Sequence, residues 1–389
     1  MKPFLPALVV STLTLSSLVA QSDLNSPQWI GPHTGMNVLA DWTATEVLSQ
    51  GATGTCWSYS TTSFMESEAF RITGELHDFS EMSSVRVNYP RKAAMYLRYQ
   101  GNHQFGPGAL SHDVVDAVKA YGLLPASVYD GQPGEGGRHD HGELDGLLKA
   151  MVDAALAEAG HITPNFMAAF EAVLDTYLGA LPSTFRYNGK EYDAASFRDA
   201  MGIDPEAYVE LTSFTHQPLH QSFVLEVPDN YSNGTYFNLT LDELVDATVR
   251  ALESGYTVAW DADVSNPGFS FQNGVALALK DRGALKEWDW SQPLPEEMEV
   301  SEDSRQLAYD ELSTTDDHLM HFVGLAEREV NGEMKRFFIL KNSWGTGNDF
   351  GGRQFVSEAY FRMYTIGVLL HEDALSTGMR RLLGDSKVR

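Results

Sequence analysis

From Trp42 to about Tyr129 apolar residues recur three and four positions apart, as in Ala93, Ala94, Met95 and Leu97 and again in Val114, Val115 and Val118. That spacing predicts a run of helices. Leu144 to Ala159 and Phe166 to Leu181 repeat it, the second opened by Pro164 and closed by Pro182, and read as an inserted helical pair. Between these zones, Asp130 to His141 is dominated by Gly and charge and predicts a loop. Beyond Leu239 the period changes. Leu241-Asp242-Glu243-Leu244-Val245 starts a helix ending near Ser254-Gly255, and Tyr256 to Trp260 then reads as a buried strand. Leu319 to Leu325 and Arg336 to Leu340 are further strands, with Asn331-Gly332 between them as a hairpin turn. A mostly helical half thus precedes a strand-rich half, an α+β pattern.

The 389 residues, 43% apolar and 11% aromatic, supply a sizeable core and exclude wholesale disorder. At roughly 150 residues per domain they allow two or three folded units. The formal charge of −26 repels a nucleic-acid backbone or an anionic membrane, and no basic patch offsets it. Nucleic acid is therefore not an expected partner. The first twenty residues carry Lys2, an apolar stretch from Phe4 to Val19 and a small residue at Ala20, the pattern of a cleavable secretory signal. The expectation is a secreted or periplasmic protein. No later segment approaches about 18 consecutive apolar residues, so no membrane attachment is expected after the signal is removed.

Cys56 is the single cysteine, which excludes an intrachain disulfide and any multi-cysteine metal site. The glycine-rich Ser49 to Thr55 precedes it, and a helical stretch running to about Arg71 follows, so the thiol falls in the first helical turn. There the unpaired N–H groups and the helix dipole favour a thiolate. The glycines let the Cys56 N–H point at a developing oxyanion, and Gln50 offers a second donor, unless it is only a surface loop residue.

A thiolate needs an imidazole partner. In Asp316 to Gly324, alternation sets His318, Met320 and Phe322 on one strand face and His321 on the other, and period alone does not choose between the histidines. Phe337 to Gly345 is an apolar strand ending in Asn342, which can orient an imidazole, and Trp344, which can shield that bond from water. His139-Asp140-His141 and the pair His216 and His220 offer metal ligands. The first lies in the glycine loop and the second is interrupted by Pro218, so neither has a rigid helix face. No metal or cofactor is expected.

Together, and in this order, the Gln50 to Trp57 stretch, Asp317-His318 and Asn342-Ser343-Trp344-Gly345 resemble the motifs of papain-like cysteine peptidases. Glu66-Ser67-Glu68, Phe79-Ser80-Glu81-Met82, Tyr121 to Pro125, Tyr256 to Val264 and Ser357 to Tyr360 bring the likeness closest to the bleomycin hydrolase and aminopeptidase C branch, over about Trp42 to Leu375. The resemblance implies Cys56 as nucleophile, His318 as general base and acid, and Asn342 as its orienter. Gln50 and Cys56 would form the oxyanion hole, with Trp57 and Trp344 in support.

It implies a papain-like two-lobed fold, a helical lobe and an antiparallel β-barrel-like lobe, with a helical insertion. The expected organisation is a signal peptide at 1–20, a helical lobe with the nucleophile at 21–130, the insertion at 131–238, and at 239–389 the strand-rich lobe with His318, Asn342 and a C-terminal tail. Peptide substrates are implied, cleaved through a thioester acyl-enzyme, with aminopeptidase action ahead of two alternatives: an endopeptidase of the same fold, or a non-catalytic peptide-binding relative. The branch also makes a homo-oligomer possible. In relatives a C-terminal arm lies in the cleft, and its carboxylate receives the substrate's free amine. The interval from Cys56 to His318 is about twice the ~130 residues of the simplest papain-like chains, and the helical pair accounts for most of the excess.

Overall fold

The computed structural model describes residues 34–132, 137–157 and 161–387, so the expected signal peptide lies outside the described residues. After strand β1 (Asn37–Asp41) the chain forms α1 (Cys56–Thr73), which is buried from Trp57 to Ala69 on every side. A helix can be buried all round only if its polar groups are satisfied. Here Ser60 Oγ donates to Met320 O at 2.6 Å, Ser58 Oγ to Glu81 O at 2.6 Å, and Thr61 Oγ1 to Ser111 Oγ at 3.2 Å. Its small hydroxyl residues let neighbours approach, while Phe64 and Met65 fill the core.

Helices α2 (Glu81–Arg98), α3 (Ser111–Ala120), α4 (Gly142–Ala157) and α5 (Asn165–Leu178) pack around α1 or one another. Arg86 on α2 bonds Asp175 on α5 at 2.7 Å. The second helix of the expected inserted pair stops at Leu178, short of Leu181, because Gly179 takes φ 83° there. A hairpin, β2 (Phe185–Tyr187) with β3 (Lys190–Tyr192), and α6 (Ala194–Ala200) complete this side, where Phe185, Tyr187 and Tyr192 close on Phe197.

Strands then dominate: β4 (Tyr208–Thr212), β5 (Ser222–Val224), β6 (Thr235–Asn238), β7 (Val258–Ala262), β8 (Phe269–Ser270), β9 (Val275–Ala276), β10 (His318–Val330), β11 (Glu333–Lys341), β12 (Arg353–Ser357) and β13 (Thr365–His371). Helices α7 (Leu241–Glu253), α8 (Glu302–Asp310), α9 (Glu358–Tyr364) and α10 (Thr377–Lys387) are interleaved with them. The sheet runs β5-β6-β4-β13-β7-β10-β11-β12-β9-β8, with β1 on β10. It is antiparallel except at β4–β6 and β12–β9, and its path is open, so no barrel closes among the described residues. The mixed class agrees with the α+β expectation.

The β10–β11 hairpin turns at Asn331 and Gly332, both at positive φ (55° and 85°), the geometry that Asn-Gly supplies at least strain. Along β10 the sides alternate. Met320 and Phe322 join the core beneath α7 and α9, where Phe322 stacks on Trp260 at 4.4 Å, while Leu319 packs against the α1 core. This strand is therefore shared by both cores. The tail helix α10 sets Met379 and Leu383 on the α7 side. No helix among the described residues is long and apolar enough to cross a membrane.

Candidate active site

Cys56 is the first residue of α1, behind Thr55, and is partly exposed. The backbone N–H of Leu319 points at its sulfur, which places the thiol against the start of β10, one residue after His318. Further along the same contact, Ser63 Oγ lies 2.9 Å from His321 Nδ1. Thus α1 runs along β10, and the two histidines occupy different sides of the strand as the alternation requires.

His318 is 4% exposed and its Nε2 lies 2.8 Å from Asn342 Oδ1. The amide cannot be turned over, because Oδ1 also accepts from Ser343 N at 2.7 Å and Nδ2 donates to Gln354 Oε1 at 2.8 Å. Nε2 therefore carries the ring hydrogen, and in the neutral imidazole Nδ1 is the basic nitrogen. Trp344 stacks on the ring at 4.7 Å and 25°, and is itself held edge-on by Phe269 and Phe271 at 5.7 and 5.5 Å. The indole, 39% exposed, stands between the buried imidazole and water.

Gln50 is not a surface loop residue. It is 9% exposed, its N–H donates to Ser343 O at 2.9 Å, and its Oε1 accepts from Ser343 Oγ at 2.7 Å. One hydrogen of its Nε2 goes to Thr53 O at 2.8 Å, and a primary amide has a second to offer. Trp57 is buried and donates to Pro107 O at 2.9 Å, anchoring the start of α1 to the loop before α3.

The electrostatics differ from the expectation of a thiol activated by its helix end. Burial pushes the Cys56 thiol up to about 12, against the Leu319 N–H, and the charges of Asp316, Asp229 and Asp261 push the same way. Desolvation likewise carries His318 down to about 4, although its bond to Asn342 and the charge of Asp317 favour the imidazolium. Both shifts point to a resting state in which the thiol and the imidazole are each neutral.

Two features escaped the sequence reading. Lys341, next to Asn342, donates to Thr45 Oγ1 and Ser63 Oγ, each at 2.8 Å, while Thr45 donates to Glu66 Oε2 at 2.5 Å and Phe79 N to Glu66 Oε1 at 2.8 Å. Lys341, Thr45, Ser63 and Glu66 line a cavity of about 20 Å³, room for about one water, and bind α1 to β11 behind the site. The signal was a lone Lys closing an apolar strand and a Glu within a helix that is otherwise buried. The second feature is Asp261, near the end of β7, 3% exposed, whose carboxylate shares a hydrogen bond with that of Asp316 and meets no other side-chain partner among the described residues.

The remaining histidines have separate surroundings. His216 Nε2 lies 3.1 Å from Glu226 and His220 Nε2 2.9 Å from Glu243, while His139 and His141 meet edge to face at 5.8 Å.

A model described as the Peptidase C1-like family matches residues 166–388, a span that holds His318 and Asn342 and leaves Cys56 outside. Aminopeptidase C of Streptococcus thermophilus is 22% identical over 380 residues, covering 86% of this chain and 82% of the relative. Aminopeptidase C of Lactobacillus delbrueckii subsp. lactis is 20% identical over 296 residues, 69% of this chain and 63% of the relative. Among solved structures, the crystal structure of pepw from Lactobacillus rhamnosis HN001 superposes with a TM-score of 0.70 at 16% identity, over 91% of this chain and 86% of that one. That likeness establishes a shared fold.

Proposed function

Because the chain belongs to the Peptidase C1-like family, we propose that it is a cysteine-type aminopeptidase acting through Cys56, His318 and Asn342. One observation carries the reading: an imidazole whose Nε2–H is committed to Asn342 at 2.8 Å begins the strand whose next N–H meets the only thiol in the chain. The names of the relatives support aminopeptidase action.

In the proposed reaction His318 Nδ1 takes the Cys56 proton as the sulfur attacks the scissile carbonyl carbon. The oxyanion is met by the Cys56 N–H and the remaining Gln50 Nε2 hydrogen. Collapse of the tetrahedral species breaks the C–N bond, and the imidazolium gives its proton to the leaving amine, so a thioester remains. Water then attacks the thioester with His318 again as base, releasing the acid and restoring the thiol. The neutral resting pair suits this sequence, because proton transfer accompanies attack. Export rests on the leader-like pattern of the first twenty residues.

Under reducing conditions the protein is expected to hydrolyse aminoacyl-coumarin amides, and Cys56→Ala to abolish the activity. A fully active alanine variant would falsify the mechanism. Equal cleavage of a free and an N-acetylated version of one peptide would remove the aminopeptidase assignment and leave the peptidase one.

A further inference from the structure

Helix α1 begins against a loop of small residues. Trp57, the residue after the thiol, donates to Pro107 O at 2.9 Å, and a Cβ on Gly54 would stand 2.6 Å from Pro107 Cγ. This loop is fixed from within. Lys92, 2% exposed, donates from Nζ to Gly106 O at 3.0 Å, to Pro107 O at 3.2 Å and to Gly108 O. Gly106, Pro107 and Gly108 are nevertheless partly exposed, as is Cys56. A Cβ on Gly108 would fall on Asp229 Oδ2, so only glycine lets that carboxylate lie against the loop backbone.

Asp229 lies between β5 and β6 and is half-buried. Its Oδ1 accepts from the Gln104 amide at 3.4 Å, a long bond at the surface. Its Oδ2 meets no donor among the described residues and is not sealed from solvent. Lys92 acts on Asp229 through its charge, but its three ammonium hydrogens go to the loop carbonyls, and the two form no ion pair among the described residues. Asp229 is also one of three carboxylates whose charge is felt at the Cys56 sulfur. The other two, Asp261 and Asp316, hydrogen-bond each other, and their unmet oxygens are buried. Asp229 alone of the three has an unpaired oxygen open to water.

We propose that Asp229, held against Gly108 beside the first turn of α1, receives the α-ammonium group of the substrate on Oδ2. The inference rests on the aminopeptidase reading and supplies its specificity. Cα alone separates an α-ammonium from the scissile carbonyl carbon, so the receptor of the amine has to stand close to the nucleophile. A half-buried carboxylate with a free oxygen suits a cation, because a charge-assisted bond forms there without breaking an ion pair. An acetylated amino terminus loses the charge and brings its acyl group against the carboxylate. The bound cation also offsets one of the negative charges that hold the thiol proton in place.

The test compares wild type with Asp229→Asn, using one peptide amide with a free or acetylated amino terminus. The variant should lose about 10- to 100-fold in kcat/KM on the free-amine substrate, the range for a hydrogen bond to a charged group. Its slow cleavage of the acetylated substrate should stay within about twofold of wild type, a separation that general damage to the site would not give. If wild type requires the free amine and the folded variant keeps that preference, Asp229 is not the receptor and the aminopeptidase reading stands. If wild type cleaves both substrates equally, that reading fails and the proposal falls with it. Loss confined to substrates whose first residue is Lys or Arg would assign Asp229 to side chains and overturn the proposal. Should Asp229→Asn not fold, Gly108→Ala decides, because its methyl pushes the carboxylate aside and leaves the charge in the chain. That variant should lose at least about tenfold of the preference for the free amine, and an unchanged preference overturns the assignment.

Discussion

Replacing Asn342 by Ala takes the acceptor from His318 Nε2–H at a position 4% exposed to water. A buried donor left unmet costs about 1–3 kcal/mol. The ring can avoid that cost only by rotating off Trp344, which turns Nδ1 from the direction that the proposed proton transfer requires. In either case the loss falls on the arrangement needed at attack, so kcat should drop by about 5- to 150-fold. Asn342 is directed at His318, Ser343 and Gln354, so KM should stay within about twofold. Steady-state kinetics on a free-amine coumarin substrate separate the two constants. The control is Gln354→Met, which removes the other amide contact of Asn342 and leaves the imidazole bond in place. A second variant gives a sign. In Asn342→Asp a carboxylate beside Nε2–H favours the imidazolium, so the His318 pKa rises from about 4 and the acid limb of kcat/KM moves to higher pH. An alanine variant with unchanged kcat, or a defect confined to KM, would refute the assigned role.

Lys341→Met leaves Glu66 buried without its cation and should cost about 3–5 kcal/mol at pH 8, read by urea unfolding. A loss below about 1 kcal/mol would show that the network is not needed for stability. His141, buried with neither ring nitrogen bonded among the described residues, is held down to about 4, chiefly by desolvation. The folded state thus binds fewer protons than the unfolded state between pH 6.5 and 4, and stability is lost as pH falls through that window. His141→Phe should remove about 2 kcal/mol of the loss between pH 7.5 and 5, and parallel wild-type and variant curves would disprove the assignment.

The parts of the site readable from sequence were those with local chemistry. Gly-rich backbone before Cys56, alternation around His318 and a polar amide after an apolar strand each follow from short-range rules. The hairpin at Asn331-Gly332 was legible for the same reason. The place of Asp261 opposite Leu319 was not, because it depends on β7 and β10 lying in register, and a strand reading VAWDA does not say what lies across from it. The upward push on the thiol was not legible for a related reason: the desolvation and the three carboxylates behind it come from chain segments far away in sequence. Lys341 looked like the polar end of a strand until Glu66 and Thr45 arrived from the other half.

The seam where Gln50 N meets Ser343 O and Gly345 N meets Leu48 O has a consequence for the chain while it is being made. The proposed nucleophile, Cys56, emerges early, but its proposed base His318, its orienter Asn342 and Ser343, which holds Gln50, follow more than 250 residues later. A nascent chain halted before residue 342 presents sulfur and no catalyst. On the proposed mechanism, order of synthesis thus serves as a safety device: the chain cannot cut its neighbours, or itself, until the residues beyond 342 exist.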